Sequence, residues 1–243
     1  MKNLIQQRDR TKALITGIFF IAATVTAIIG VRLYEPLLQV SDPAAGAQHA
    51  GQIALGAFFE LLLCISNIGT AVMLYPFLKR YNESMGMAYV VFRSLEVVFI
   101  MVGILSMLAL VNLSVNFGAQ PGADPVSFRL LAGTLTSLHE WTFILGPHFM
   151  LGVNTFVYSY VLCRTELVPV KIALTGMIGA VLIFAAAVME VFGLFTYFSI
   201  QTVLLALPIA VYEMVLAVYL IRKGFNPNAL EKPEVESGSL QAA

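Results

Sequence analysis

Six long apolar stretches determine what this chain can fold into. A helix needs roughly 20 mostly apolar residues to cross a bilayer, because about 30 Å of hydrocarbon is covered at 1.5 Å per residue. With 59% hydrophobic and only 12% charged residues, the composition is typical of a membrane protein. We therefore predict an all-α, polytopic membrane protein with a bundle of six transmembrane helices. The predicted spans are Ala13 to Val31, Ile53 to Leu78, Ala88 to Val111, Leu130 to Leu162, Ile172 to Phe192 and Thr202 to Ile221.

The fourth stretch is too long for a single straight span. Its surplus length, and Pro147 in its middle, predict a tilt, a kink or a first turn that projects past the membrane. The loops between the stretches are short and leave no room for a soluble domain. Residues 1–223 are therefore predicted to form one transmembrane domain. Gly224 to Ala243, rich in Glu, Pro, Ser and Gly, is predicted to be a disordered cytoplasmic tail.

The distribution of basic residues predicts the orientation. Lys and Arg near helix ends are retained on the cytoplasmic side of a membrane. One set of connections carries most of them: Lys2, Arg8, Arg10, Lys12, Lys79, Arg80, Arg164, Lys171, Arg222 and Lys223. The opposite connections have only Arg32 and Arg129 at their edges. Both termini are therefore predicted to be cytoplasmic. A cleaved signal peptide is disfavoured, since Ala45-Gly46-Ala47 lies well beyond the end of the first apolar run.

Charge and motifs limit the partners. The formal net charge is +0 and no basic stripe is present, so we predict no nucleic-acid partner, and the lipid bilayer is the expected surroundings. No Gly-rich phosphate loop, CxxC or HExxH motif occurs, so no cofactor is predicted. Cys64 lies inside one span and Cys163 at the end of another, so we do not expect a disulfide between them. The oligomeric state stays open.

The ionisable residues inside the spans are the informative ones. Each costs roughly 2.5–3.5 kcal/mol at a bilayer centre and is expected to face protein or water. Glu60, Glu96, Glu140 and Glu213 fall near mid-membrane, whereas Glu190 lies near the outer boundary, where headgroup water is expected to reach it. The pattern therefore predicts a polar core in which Glu96 matters more than Glu190.

Spacing along two helices predicts more of this polar core. Glu60 and Asn67 are seven residues apart and share a helix face, either to hydrogen-bond between helices or to line a cavity. Arg93 and Glu96 stand at i and i+3, which fits a local ion pair. The alternative is that Arg93 extends toward the cytoplasm while Glu96 takes a proton or a partner on another helix.

The fourth stretch has the densest set of polar groups: His139, Glu140, Pro147, His148, Asn154 and Tyr158. At 100° per residue, Glu140, Asn154 and Tyr158 point in one direction. His139 and His148, nine residues apart, point to opposite sides. The regular helical wheel therefore predicts that these histidines do not share a metal ion, although a kink at Pro147 and ligands from other helices remain an alternative.

Several stretches together resemble a known family. They are Leu33-Tyr34-Glu35-Pro36-Leu37, Leu74-Tyr75-Pro76-Phe77-Leu78-Lys79-Arg80, Met87-Ala88-Tyr89-Val90-Val91-Phe92-Arg93-Ser94-Leu95-Glu96 and Val168-Pro169. This set is similar to a bacterial integral membrane family known as a domain of unknown function, number four-three-eight-six. The resemblance covers Lys12 to Lys223 and implies a multi-pass protein of the bacterial inner membrane. It implies no activity.

Three functions fit these features. The spread of mid-membrane carboxylates favours a bundle that binds or transports a small molecule or a proton. An intramembrane enzyme that uses Glu140 or Glu96 with a histidine as acid and base is weaker, because no nucleophile or metal motif stands beside them. An accessory or structural protein, in which polar groups only join helices, is the third interpretation.

Overall fold

The structure, a computed structural model, describes residues 2–38, 47–118 and 124–230. The described residues are almost entirely helical and include no strand, which confirms the all-α fold. The helices are α1 (Lys2–Leu38), α2 (Ala50–Tyr81), α3 (Glu83–Gly118), α4 (Pro125–Phe143), α5 (Leu151–Thr165), α6 (Val170–Val191), α7 (Ile200–Arg222) and the short α8 (Pro227–Leu230). Most of the two predicted outer loops, Ser41 to Gln48 and Gln120 to Pro125, lies outside the described residues.

Five helical segments are long and apolar enough to cross a membrane. They are Gln7–Glu35, Ala50–Tyr81, Glu83–Phe117, Val170–Val191 and Ile200–Arg222. The predicted fourth span corresponds to α4, a π-helical segment at Ile144–Met150 and α5. The backbone stays helical through both junctions, so these three pieces form one continuous rod. The five apolar helices make this a multi-pass membrane protein.

The π-helical segment at Ile144–Met150 surrounds Pro147. Proline has no N–H, and its ring clashes with the carbonyl four residues earlier, so a regular α-helix cannot continue through it without adjustment. The wider i to i+5 turns of a π-helix are such an adjustment. Each π-helical hydrogen bond spans one more residue than an α-helical one. Side chains before and after the segment are therefore rotated relative to a regular helical wheel.

The helices form a closed ring in which α1 packs between α2 and α7. A Cβ added at Gly17 of α1 would lie 2.7 Å from the carbonyl oxygen of Ala217 in α7. A Cβ added at Gly69 of α2 would lie 2.5 Å from the ring of Phe19 in α1. Glycine at these positions lets α1 approach both neighbours closely, as is common between membrane helices.

Basic side chains gather at one end of the bundle, which we call the basic end and define by Arg10, Arg80, Arg164 and Arg222. Arg10 donates hydrogen bonds to the carbonyl oxygens of Leu220 (2.8 Å), Ile221 (2.6 Å) and Arg222 (3.1 Å). The last carbonyls of a helix have no partner within the helix, so this guanidinium caps α7.

The start of the predicted tail is ordered. Phe225 is buried, with its ring 4.3 Å from that of Phe77, and the backbone N–H of Asn226 donates to the carbonyl of Leu167. Residues 224–230, the start of the predicted tail, therefore pack against the bundle, where the aromatic ring of Phe225 gains apolar burial. The remainder of the predicted tail, residues 231–243, lies outside the described residues.

The opposite end of the bundle holds two helix N-termini capped by side chains. Asp124 accepts hydrogen bonds from the backbone N–H groups of Val126 and Ser127 at the start of α4. The Ser127 hydroxyl, with these N–H groups, holds the pKa of Asp124 below its usual value. Ser199 accepts from the N–H of Thr202 at the start of α7. These caps fix where α4 and α7 begin.

Candidate functional site

A buried ion pair lies at the centre of the bundle. Nη1 of Arg93 is 3.0 Å from Oε2 of Glu96, and both side chains are buried. The local pair predicted from their i, i+3 spacing is therefore present. Two charges in a low-dielectric interior need close pairing and further hydrogen bonds to offset their desolvation.

Two amides supply those hydrogen bonds to Glu96. Asn67 of α2 donates to Oε1 at 3.0 Å, and Asn154 of α5 donates to Oε2 at 2.6 Å. With Arg93, three donors converge on one carboxyl group and use both of its oxygens. This is the arrangement expected around an ionised carboxylate. Glu96 thereby joins α2, α3 and α5, and the Asn67 face predicted from sequence is part of the site.

A cavity of about 710 Å³ lies beside this network. Its walls are mostly apolar and come largely from α1, α3, α4 and α7. Six of the residues predicted from sequence to form the polar core line it: Glu60, Asn67, Arg93, Glu96, His139 and His148. Glu213, a seventh, lines it from α7. The cavity is therefore where most of the predicted polar core comes together.

The cavity is closed toward the basic end and open elsewhere. Between it and the basic end lies a packed cluster that includes Phe20, Phe77, Tyr89, Tyr158 and Tyr212, all buried. On the side between α1 and α7, by contrast, the lining residues Ile28 and Val203 are 60% and 48% exposed. The cavity thus reaches the outer surface of the bundle between these two helices, in the half away from the basic end.

Two carboxyl groups in the cavity have an oxygen without a hydrogen-bond partner among the described residues. These are Oε2 of Glu60 and Oε1 of Glu213, and both side chains are at least nine-tenths buried. Glu213 lies near enough to Arg93 to be attracted to its charge. Buried polar atoms without partners are uncommon and call for an explanation such as a bound ion or ligand.

The histidines do not follow the regular helical wheel. His139 and His148 both line the cavity, although their spacing placed them on opposite sides. The π-helical segment, which begins at Ile144 and contains His148, accounts for this correction, since its wider turns change the directions of its side chains. His139 packs edge-on against the Tyr34 ring at 5.4 Å, and its Nδ1 is buried without a partner. The described residues contain no group of three or more His, Cys, Asp or Glu that could hold a metal ion.

Glu140 is the one predicted core residue that the structure separates from the others. It is only half-buried and does not line the cavity, whereas Asn154 and Tyr158 are fully buried. The predicted common face of these three residues is therefore wrong. The cause is again the π-helical segment, which lies between Glu140 and Asn154 and changes the relation between their directions.

Glu190 was underestimated from sequence. It is buried rather than open to headgroup water: its Oε2 lies 2.7 Å from Nδ1 of His148, and its Oε1 accepts from the Thr202 hydroxyl at 3.2 Å. Residues 192–199 turn back here, and the rings of Tyr197 and Phe198 pack on Phe143. Two features of the sequence could have indicated the His148–Glu190 pair. A histidine can hydrogen-bond a carboxylate, and the turn after Glu190 is rich in aromatic residues.

Comparison with family models gives one informative result. Residues 15–224 match the model described as Domain of unknown function (DUF4386). The chain belongs to this family. The match covers all the residues of the cavity and confirms the resemblance found in the sequence. No curated protein and no solved structure matches the DUF4386 chain.

Proposed function

We propose that this DUF4386 protein is a small-ligand-binding or transport bundle of the bacterial cell membrane, with the cavity as its binding site. The observation that carries the proposal is a cavity with apolar walls and a few buried polar groups, two of which lack partners. A volume of about 710 Å³ lies within the usual range of roughly 300–1,000 Å³ for small-molecule sites.

The position of the opening suggests where the ligand comes from. Ile28 and Val203 flank the gap between α1 and α7, and both are apolar residues on the outer surface of a membrane helix. A molecule dissolved in the bilayer would meet these two apolar side chains at the gap, and the exposed Arg32 and Glu35, which also line the cavity, lie further along α1. We therefore infer a ligand with a substantial apolar part that enters sideways from the membrane.

Transport, as distinct from binding, would need a second opening at the basic end. There α1 and α7 are in close contact at Gly17 and Ala217, and Arg10 bonds to the end of α7. A transport cycle would have to separate these helices at that point. The closed basic end makes binding the simpler form of the proposal.

The binding proposal predicts that filling the cavity abolishes ligand uptake. Ala27 of α1 and Ala206 of α7 both line the cavity. In nanodiscs, saturable binding of the neutral fluorophore N-phenyl-1-naphthylamine is expected to weaken by about tenfold or more in Ala27→Phe and Ala206→Phe, because a phenyl ring occupies the space that the ligand needs.

Ala54→Phe is the matched control, since Ala54 is exposed on the lipid-facing surface of α2. Its affinity for the fluorophore should equal that of the unaltered protein. Fluorophore binding that is unsaturable, or that is the same in all four proteins, would show that the cavity is not a binding site.

We further propose six spans, with α4, the π-helical segment and α5 as the fourth, and both termini in the cytoplasm. The gathering of Arg10, Arg80, Arg164 and Arg222 at one end supports this orientation. A reporter active only in the cytoplasm should work when fused after Lys223. The same reporter inserted within 41–48 or 120–125 should be silent, and activity at either site would overturn the topology.

A further inference from the structure

Glu60 differs from the other buried carboxyl groups of the cavity region because none of the described residues pairs with it through a basic side chain. Glu96 is paired with Arg93, Glu190 with His148, and Glu213 lies within the electrostatic reach of Arg93. For Glu60, the described residues supply no ion pair and leave Oε2 without a hydrogen bond. A carboxylate in this position lacks the partner that burial normally requires.

Packing holds Glu60 in place on α2. A Cβ added at Gly30 of α1 would lie 2.8 Å from Cγ of Glu60, so the glycine lets the backbone of α1 press directly on this side chain. One turn away, the ring of Tyr34 occupies the space beside Gly56 in the same way. The Tyr34 hydroxyl lies beside Glu60 but outside hydrogen-bond geometry, and the described residues supply no other partner for it. The carboxyl group is therefore fixed at the cavity wall.

Aromatic rings complete the surroundings. Phe143, Tyr197 and Phe198 line the same cavity and pack against one another. Tyr197 lies within electrostatic range of Glu140, Glu60 and Glu190, and its hydroxyl has no hydrogen-bond partner among the described residues. A carboxylate close to aromatic rings is a common way to bind an organic ammonium group, since both attract the cation and the rings also bury its apolar substituents.

We propose that the ligand of this cavity is an amphipathic amine, whose ammonium group binds Glu60 and whose apolar body fills the space toward the gap between α1 and α7. The inference rests on the proposed binding function and specifies its ligand class. An anionic ligand would meet Glu60, Glu96 and Glu213 against Arg93, the one buried arginine or lysine that the described residues place on the cavity wall, while Arg32 and Glu35 pair with each other at the exposed edge. A neutral ligand would leave Glu60 without its counter-charge.

The test uses three probes with one carbon skeleton: 3-phenylpropylamine, 3-phenylpropanol and 3-phenylpropanoate. Each competes with N-phenyl-1-naphthylamine for the purified full-length protein in nanodiscs at neutral pH. The amine is expected to compete about tenfold or more better than the alcohol, and the carboxylate worst, because a charge-assisted hydrogen bond is made by the amine alone.

Variants assign this preference to Glu60. Glu60→Gln should lower the affinity for the amine to that for the alcohol. The affinity for the alcohol itself should stay within about threefold of its value in the unaltered protein. Glu83→Gln is the matched control, since Glu83 is exposed and far from the cavity, and it should keep the amine preference. Thermal unfolding without ligand checks folding, and Glu60→Gln is expected to be at least as stable as the unaltered protein, since it removes a buried group without a counter-charge.

The outcomes separate the two proposals. Fluorophore binding that is blocked by Ala206→Phe, combined with equal competition by amine and alcohol, would overturn the amine and keep the binding function. If Glu213→Gln, and not Glu60→Gln, removes the amine preference, the assignment of the ammonium group to Glu60 is overturned, while the binding function and the amine as ligand class are kept. Absence of saturable fluorophore binding would overturn both.

Discussion

Glu96→Gln is expected to lower the free energy of unfolding of the detergent-solubilised protein by about 3–5 kcal/mol, as happens when one partner of a buried ion pair is removed. Arg93 cannot lose its proton, so it would keep a buried positive charge. An amide is also a poor replacement here, because three donors point at the two oxygens of Glu96. Gln offers one acceptor oxygen and turns an NH₂ group toward the remaining donors.

A double-variant cycle tests this account. Arg93→Gln combined with Glu96→Gln should recover part of the loss, since no unpaired charge then remains. The measurement is reversible unfolding by denaturing detergent, with thermal unfolding as a second readout. If Glu96→Gln is as stable as the unaltered protein, then Glu96 does not act as the ionised partner of Arg93 and the network described above is not what holds α2, α3 and α5 together.

Glu190→Ala is expected to cost at least about 2 kcal/mol, which contradicts the expectation from sequence position alone. The change leaves Nδ1 of buried His148 without its partner, at a cost of about 1–3 kcal/mol, and removes one of the two partners of the Thr202 hydroxyl, which keeps its hydrogen bond with the Ser199 hydroxyl. Glu140→Ala is the matched control, because it is the same substitution at a half-buried residue outside the cavity. Its effect should stay within about 0.5 kcal/mol.

The comparison of these two variants uses the same unfolding assay. A loss for Glu190→Ala no larger than that for Glu140→Ala would mean that the His148–Glu190 contact contributes nothing to stability. A large loss for both would instead point to Glu140 as a member of the polar core, as the helical wheel first predicted.

The sequence predicted most of the helices because a bilayer imposes a simple length and composition on each span. It also predicted the Arg93–Glu96 pair, since an i, i+3 contact depends only on the local helix. These features need no knowledge of which helices are neighbours. The shared helix face of Glu60 and Asn67 was predicted for the same reason. Whether these side chains join helices or line a cavity stayed open, and in the structure Asn67 does both.

What the sequence did not predict depends on deviations from regular geometry. Pro147 was recognised as a source of distortion, but the form of that distortion follows from how neighbouring helices pack around it. The π-helical segment changes the directions of the side chains around it relative to a regular helix, so His148 lines the cavity and Glu140 does not. The burial of Glu190 likewise depends on how residues 192–199 fold back, a tertiary contact without a periodic signal.

The bond between Arg10 and the end of α7 has a consequence for synthesis of the protein. The two ends of this contact are 210 residues apart in the chain, so at about 5–20 residues per second the partner of Arg10 is made about 10–40 s later. During that interval one whole side of α1, including Gly17, has no protein neighbour. The first helix to enter the membrane must therefore wait beside lipid or a helper protein until the last one arrives and closes the ring.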